Sequence, residues 1–175
     1  ISIGIALYPL HGKDIESLFK RADMAMYKSK LDNRGRYTFY HEGMENRFRE
    51  RMLLGNKLRG ALERDEFTLY YQPQIDGETD EICRLEALLR WENKDLGSVP
   101  PSKFIEIAEE THLIKPIGEW VLERACSFLK SLHNSGFPDI NISVNVSIVQ
   151  LMQEDFCDKV FKILDYHDLE PNHLE

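Results

Sequence analysis

Residues Leu85–Glu92, with the sequence LEALLRWE, carry the strongest evidence on the fold. The stretch has the apolar composition of a buried β-strand, yet it also contains an acid, Glu86, and a guanidinium, Arg90. An ionised carboxylate in an apolar environment is costly unless a cation, a metal or hydrogen bonds compensate it. Two interpretations fit this stretch equally well: a site that uses Glu86, or a structural Glu86–Arg90 ion pair.

The composition of the chain limits the classes of function. It has 175 residues, of which 42% are hydrophobic, and this is enough for the core of one domain or slightly more. The formal net charge of −8 argues against a nucleic-acid polymer as partner, because binding to a phosphate backbone needs a basic surface. A small anionic ligand held by a metal or by arginines remains compatible with this charge.

The cysteines and the chain ends bear on location. Cys83, Cys126 and Cys157 lack metal-ligand spacing, which predicts a packing role in a reduced, cytoplasmic compartment. No apolar run reaches the roughly 18–20 residues of a membrane span, and the pattern of a signal peptide is missing. The chain starts inside an apolar run without an initiator methionine and stops at Glu175, so we expect a piece of a longer protein.

The hydrophobic pattern divides the chain into three parts. Residues 1–40 alternate as a strand, a helix capped by Asp14 and a second strand, and residues 41–64 have the pattern of one charged linking helix. Residues 65–175 alternate strands with helices, which predicts a parallel α/β architecture with too few strands for a complete barrel. The predicted strands of this part lie around Phe67–Tyr71, Glu86 and Ile140–Ser147.

Candidate site residues follow from this architecture, because parallel α/β proteins place their sites at the carboxyl ends of strands. Glu86, Arg90 and Asn145 are predicted there. Carboxylate and amide oxygens suit Mg²⁺ or Mn²⁺, and a planar guanidinium can bridge phosphate oxygens. Together they would fit metal-assisted hydrolysis of a phosphodiester. The alternative for Asn145 is a merely polar strand face that spans residues 141–147.

A second pair of candidates lies in the first part of the chain. Lys30 and Arg34 are four residues apart near the end of the predicted helix, so both side chains can face the same direction. They could bind a phosphate group. Favourable interaction with the helix dipole and with solvent is the alternative, and it requires no ligand.

The motif LEALLRW at residues 85–91 resembles the signature of EAL domains, the cyclic di-GMP phosphodiesterases. Further similarity runs in order through most of residues 58–175. It includes YQPQ at residues 71–74, GSVPP at residues 97–101 and VNVS at residues 144–147. So many ordered matches make this resemblance specific.

The start of the chain is similar to a different family. SIGIA at residues 2–6 and ADMAMY at residues 22–27 resemble the tail of a GGDEF domain, which has the diguanylate cyclase fold. The chain therefore resembles part of a GGDEF–EAL tandem protein. Its expected division is a GGDEF remnant at 1–40, a linking helix at 41–64 and the N-terminal half of an EAL domain at 65–175.

The resemblance implies an incomplete TIM-like (β/α) barrel and hydrolysis of cyclic di-GMP to linear pGpG with Mg²⁺ or Mn²⁺. On the family pattern, Glu86 and Asn145 match metal ligands. Gln72, Leu88 and Arg90 match residues that contact the dinucleotide. The resemblance also implies a homodimer in the full-length protein.

In the cyclase part, Lys30 and Arg34 match residues that hold the phosphates of GTP. The chain departs from the family patterns at two places. Asn93–Lys94 replaces the common His-Pro, and residues 33–35 read Asn-Arg-Gly where the usual order is Gly-Arg-Asn. We expect little consequence from the first departure, because that turn is predicted to lie away from the metal site.

The family pattern places further metal ligands and the water-activating residues beyond Glu175, so the 175 residues alone are expected to be inactive. Two alternatives to a phosphodiesterase remain open for the parent protein. It could be a catalytically silent module that binds cyclic di-GMP or a protein, or it could act mainly as a diguanylate cyclase. The parent is expected in the cytoplasm, with a tether to the inner membrane as an option.

Overall fold

A computed structural model of the chain describes residues 1–32 and 35–175. These residues divide into two compact units, 1–56 and 57–175, and each unit is described separately. Within the described residues, no helix combines the length and the apolar character that crossing a membrane requires.

The first unit begins as the strand–helix–strand structure that the sequence predicts. Strand β1 (Ile3–Ile5) pairs in parallel with strand β2 (Tyr37–Phe39), and helix α1 (Ile15–Asp32) connects them. Asp14 caps α1, because its Oδ1 atom accepts a hydrogen bond from the backbone N–H of Ser17 at 2.8 Å. The predicted cap is therefore confirmed.

Helix α1 packs closely on β1 at Gly4. A Cβ atom at this position would lie 1.9 Å from the backbone oxygen of Ala22, so only glycine permits the approach of strand and helix. The buried hydrophobic cluster of this unit consists of Met24, Ala25, Tyr40 and Met44.

Helix α2 (Gly43–Leu58) is shorter than the helix predicted over residues 41–64. Turns replace it after Leu58, and Gly60 adopts a positive φ of 71° there. The Arg64 side chain donates to the backbone oxygens of Lys57 and Arg59, which satisfies carbonyl groups that a helix end leaves without partners.

The described residues of the second unit contain a sheet of four strands. Strands β3 (Phe67–Ile75) and β4 (Ile82–Asn93) are antiparallel, and β5 (Gly97–Val99) is antiparallel to the end of β4. Strand β6 (Asn141–Val144) is parallel to β4. The parallel architecture predicted from the sequence is therefore wrong for the first two strands. The loop at residues 76–81 is too short for a parallel crossover, so β3 and β4 form a hairpin.

Helices separate β5 from β6 and follow β6. The helix Ile114–Asn134, α4, ends close to its predicted stop at Gly136, which adopts a φ of 99°. The helical elements of this unit are α3 (Pro101–Glu110), α4 (Ile114–Asn134), α5 (Ile148–Leu151), α6 (Phe156–Tyr166) and a 3₁₀ turn at Pro171–His173.

One face of β4 packs against the helices. Trp91 is fully buried, and its ring meets that of Phe104 in α3 edge-on, with centroids 5.4 Å apart. Ala87 belongs to a second buried cluster with Ala125, Cys126, Leu129, Ile142 and Leu164. Burying a leucine or isoleucine side chain, such as Leu129 or Ile142, contributes roughly 1.5–3 kcal/mol. Because side chains alternate across a strand, the even-numbered residues of β4, Glu86 among them, lie on the opposite face.

Candidate functional site

The parallel pairing of β4 and β6 brings Glu86 and Asn145 together. The register places Glu86 opposite Ser143, and Asn145 follows directly after the end of β6. Asn145 Nδ2 donates a hydrogen bond to Glu86 Oε1 at 2.8 Å. Glu86 is half-buried and Asn145 is exposed, so a ligand from solution can reach this contact.

The environment of Glu86 differs from the sequence expectation in two respects. The residue is half-buried instead of buried, because it lies on the face of β4 opposite the helix-covered Ala87 and Trp91. It also lies within its strand, since β4 continues to Asn93 after its last pairing with β6 at Ala87. The strand end beside Glu86 is therefore that of β6.

Arg90 has contacts of its own on this face. Its Nη1 atom donates to the backbone oxygen of Leu89 at 3.0 Å, and its guanidinium lies 5.3 Å from the centroid of the Tyr70 ring. Among the ion pairs of the described residues, none joins Glu86 to Arg90. The structural Glu86–Arg90 ion pair is therefore not formed in the described part of the chain, and the site at Glu86 stays a prediction.

The three residues predicted to contact a dinucleotide share the surface of Glu86 and Asn145. Gln72 of β3 lies opposite Glu86 in the antiparallel register. Leu88 and Arg90 follow Glu86 at intervals of two residues, which places them on the same side of the sheet. Gln72 is exposed, whereas Leu88 and Arg90 are half-buried.

A cavity of about 340 Å³ adjoins this surface. Its lining includes Leu88, Arg90 and Asn145, together with the polar side chains of Glu109 and Ser147. This volume lies at the lower end of the range for small-molecule sites. Much of its lining, including Ile105, Ile114 and Ile117, comes from helices α3 and α4, so the cavity lies largely between the sheet and these helices and reaches the site only at its edge.

The Glu86–Asn145 pair suits a divalent cation in its chemistry. A carboxylate and an amide carbonyl are hard oxygen donors. Turning the Asn145 amide would replace Nδ2 by Oδ1 beside Glu86, so both residues could ligate one cation. Within the part of the chain that the structure describes, no three acidic, histidine or cysteine side chains are arranged to hold a metal. The pair would therefore supply two ligands of a larger set.

The phosphate-binding candidates of the first part belong to the other compact unit. Lys30 is exposed in the last turn of α1, where a cation also interacts favourably with the helix dipole. Arg34 lies outside the described residues. Both explanations of Lys30 therefore remain open.

Sequence reasoning assigned no role to the segment after Asn145. Ser147 and Gln150 form a capping box at the start of α5: Ser147 Oγ accepts from the Val149 N–H, and Gln150 Oε1 accepts from the Ser147 N–H. The spacing Ser-x-x-Gln is a known sequence signal of this motif. Strand β6 consequently ends at Val144, earlier than the predicted end at Ser147.

A second carboxylate cluster has a structural role at the end of β4. Glu66 accepts hydrogen bonds from Arg64 Nε at 2.7 Å, Trp91 Nε1 at 2.9 Å and Asn93 Nδ2 at 3.0 Å. These bonds, above all that from Arg64, lower the pKa of Glu66 to about 2. Asn93 thus belongs to this cluster, and its departure from the family pattern does not involve Glu86.

The second unit is a mixed α/β protein, whose candidate ligands meet at the carboxyl end of a parallel strand, where the sites of (β/α) barrels lie. The chain belongs to the EAL domain family, whose sequence model matches residues 55–175. The model of the diguanylate cyclase, GGDEF domain, matches residues 1–36. These matches confirm the GGDEF–EAL resemblance and the TIM-like α/β fold class.

Two similar curated proteins are named for cyclic di-GMP chemistry. The chain is 42% identical over 173 residues to the bifunctional diguanylate cyclase/cyclic di-GMP phosphodiesterase MucR of Pseudomonas aeruginosa, covering 99% of this chain and 25% of MucR. It is 38% identical over 153 residues to the cyclic di-GMP phosphodiesterase PdeR of Escherichia coli, covering 87% of this chain and 23% of PdeR. The chain thus spans about a quarter of the length of these curated relatives.

A solved structure supports the assignment to the EAL domain family. The MucR phosphodiesterase in complex with c-di-GMP superposes with a TM-score of 0.67 at 42% sequence identity. The similarity covers 70% of this chain and 49% of the MucR phosphodiesterase chain. The second unit therefore has the fold of an EAL domain over the part that it shares with this structure.

Proposed function

We propose that the whole protein hydrolyses cyclic di-GMP to linear pGpG in bacterial signalling, with Mg²⁺ or Mn²⁺ as the divalent cation. The observation that carries the proposal is the 2.8 Å contact between Glu86 and Asn145 on the face that also presents Gln72, Leu88 and Arg90. The relatives support the choice of substrate, since both MucR and PdeR are named cyclic di-GMP phosphodiesterases.

Each residue of the face has a role in this proposal. Glu86 and Asn145 hold the cation through a carboxylate and an amide oxygen. The bound cation would supply Lewis-acid polarisation of the phosphate and a lower pKa for a bound water. Arg90 orients the scissile phosphate with its planar guanidinium, while Leu88 and Gln72 contact the dinucleotide beside it. Residues 1–175 alone would be inactive, because only these two ligands meet among the described side chains.

The experiment compares hydrolysis by the purified whole protein with that by its Glu86→Ala and Glu92→Ala variants, with pGpG measured by chromatography in the presence of Mn²⁺. Glu92 is an exposed acid on the same strand and serves as the matched control. We expect Glu86→Ala to abolish hydrolysis with an unchanged unfolding temperature, and Glu92→Ala to retain it. Near-normal turnover by Glu86→Ala, or binding of cyclic di-GMP without hydrolysis by the unmodified protein, would contradict the proposal.

We further propose the organisation of the parent protein. Residues 1–40 form the end of a GGDEF domain, in which Lys30 and Arg34 hold the phosphates of GTP. Residues 41–64 link it to the EAL domain, which starts near residue 65. The parent acts in the cytoplasm as a homodimer, which light scattering of the purified protein would test.

A further inference from the structure

The segment that carries Asn145 lies outside regular secondary structure, between β6 and α5. Backbone bonds hold its two ends, from the Val144 N–H to the Glu175 oxygen at 2.9 Å and from the Leu151 N–H to the Ser147 oxygen at 3.1 Å, and side chains add further restraints. The capping box holds the end of this segment: Gln150 Oε1 accepts from the Ser147 N–H at 3.2 Å, and Ser147 Oγ accepts from the Val149 N–H at 3.1 Å. Ser147 is only two residues from Asn145, so the cap restrains the backbone that determines the orientation of the Asn145 side-chain amide.

Gln150 is itself held against helix α4, at a position where the helix carries a glycine. Its side chain is only 3% exposed, and it lies against Gly118. A Cβ atom at Gly118 would be 1.9 Å from Gln150 Nε2 and 2.5 Å from its Cδ. Glycine at this position therefore makes the room that Gln150 occupies, and α4 thereby determines where the cap lies.

Helix α3 provides a third point of attachment. Ser147 Oγ donates to Glu109 Oε1 at 2.6 Å while it accepts from the Val149 N–H. A hydrogen bond to a carboxylate is stronger than one between neutral groups. The Ser147 hydroxyl is thus used as donor and as acceptor, and it ties the segment to α3 as well as to α5.

We propose that Ser147 and Gln150 are positioning residues for Asn145, and that Gly118 and Glu109 hold them in place. The network keeps the Asn145 side chain beside Glu86, so that a divalent cation reaches both oxygens after a turn of the amide alone, without first ordering the segment. Outer partners of metal ligands typically change metal affinity by roughly 10- to 100-fold when they are removed. The inference rests on the proposed function, because it requires Glu86 and Asn145 to be cation ligands.

The test uses variants of the whole protein with matched controls. Ser147→Ala removes both hydroxyl bonds, whereas Ser147→Thr keeps a hydroxyl that can cap a helix. Gln150→Met retains the length of the side chain but removes the acceptor of the Ser147 N–H. Gln153→Ala changes a glutamine of the same region whose Nε2 atom donates to the backbone oxygen of Gln150, and it leaves the side-chain bonds of Ser147 in place.

Two quantities are measured for each variant: the Mn²⁺ concentration at half-maximal hydrolysis of cyclic di-GMP, and the rise in unfolding temperature when Mn²⁺ is added to the protein alone. We expect Ser147→Ala and Gln150→Met to raise the half-maximal concentration roughly tenfold or more and to weaken the thermal shift. Turnover at saturating Mn²⁺ should stay within about twofold of the unmodified protein, and Ser147→Thr and Gln153→Ala should resemble it in both quantities.

A merely structural role would lower the unfolding temperature without moving the Mn²⁺ midpoint, and that outcome would overturn the inference. Equal impairment of Ser147→Ala and Ser147→Thr would also overturn it, because the hydroxyl would then be irrelevant. Failure of the proposed function is distinguishable, since either the unmodified protein would then show no hydrolysis or Glu86→Ala would retain it, whatever the Ser147 variants do to the thermal shift with Mn²⁺.

Discussion

Asn145 donates a hydrogen bond of 2.8 Å to Glu86 across two parallel strands, although the two residues are 59 positions apart in the sequence. The donor in this contact is the amide nitrogen, whereas a cation would bind the amide oxygen. If both residues bind a cation, the Asn145 amide must therefore turn. The N–H···O bond to Glu86 is then lost, and two metal–oxygen bonds form. This exchange can be tested by changing the amide alone.

Asn145→Asp replaces the amide by a carboxylate beside Glu86. Without a cation, the variant loses a hydrogen bond to a charged group and gains a like-charge repulsion, so we expect unfolding in EDTA to become easier by about 1–3 kcal/mol. Added Mn²⁺ should then stabilise the variant more than it stabilises the unmodified protein. Thermal unfolding in EDTA and in Mn²⁺ measures both effects. Asn172→Asp, at an exposed position, is the control. If Asn145→Asp responds to Mn²⁺ in the same way as the unmodified protein, the assignment of Asn145 as a cation ligand is contradicted.

Tyr70 is expected to restrain the position of the Arg90 guanidinium through a cation–π contact. The guanidinium lies 5.3 Å from the centroid of the ring, and Tyr70 is 60% exposed, so the cation–π contact is worth about 0.5–1 kcal/mol. Tyr70→Leu should therefore raise the KM for cyclic di-GMP about two- to fivefold with little change in kcat. Tyr70→Phe keeps the ring and should retain the KM. A Phe variant as weak as the Leu variant would show that the hydroxyl group matters instead.

Glu66 should make the stability of the second unit sensitive to acid. Its pKa is lowered from the ordinary 4.5 to about 2 in the folded state, so the folded state stabilises the ionised carboxylate more than the unfolded state does. Its contribution is fully present above pH 4.5 and is lost as the pH falls towards 2. The Glu66 side chain is only 10% exposed, but its partner Arg64 is more accessible, and solvent therefore screens the interaction. We expect ionised Glu66 to contribute about 2 kcal/mol to the free energy of unfolding.

The Glu66→Gln variant tests this expectation. It should be less stable than the unmodified protein at pH 7, and the difference should shrink between pH 4.5 and pH 2. Urea unfolding at a series of pH values gives the free energies. Glu63→Gln, at an exposed neighbouring position, should leave the profile unchanged. A constant difference between Glu66→Gln and the unmodified protein at all pH values would contradict the linkage.

The features that the sequence predicted well depend on local patterns. The strand–helix–strand start of the chain, the Asp14 cap and the stop at Gly136 follow from alternation, capping chemistry and a positive φ, all of which act within a few residues. The Ser147–Gln150 capping box has a local signal too, but the strand alternation through residues 141–147 obscured it.

The features that the sequence missed depend on neighbours distant in the chain. Helix α2 ends at Leu58, where Gly60 adopts a positive φ and the Arg64 side chain donates to the Lys57 carbonyl, although the apolar periodicity continues through residues 41–64. Glu86 is half-buried because helices cover only the other face of β4. The placement of Asn145 near Glu86 was predicted from the strand-end rule and from the resemblance, whereas its attachment through Gly118 depends on how helices α4 and α5 pack.

The most direct measurement is a crystal structure of the whole protein soaked in Mn²⁺, with the ion located from its anomalous scattering. We predict a Mn²⁺ ion bound by an Oε atom of Glu86 and by Oδ1 of Asn145, each at about 2.1–2.2 Å, with the amide turned from its present contact. An Mn²⁺ ion bound elsewhere, with Asn145 Nδ2 still donating to Glu86, would contradict the central claim.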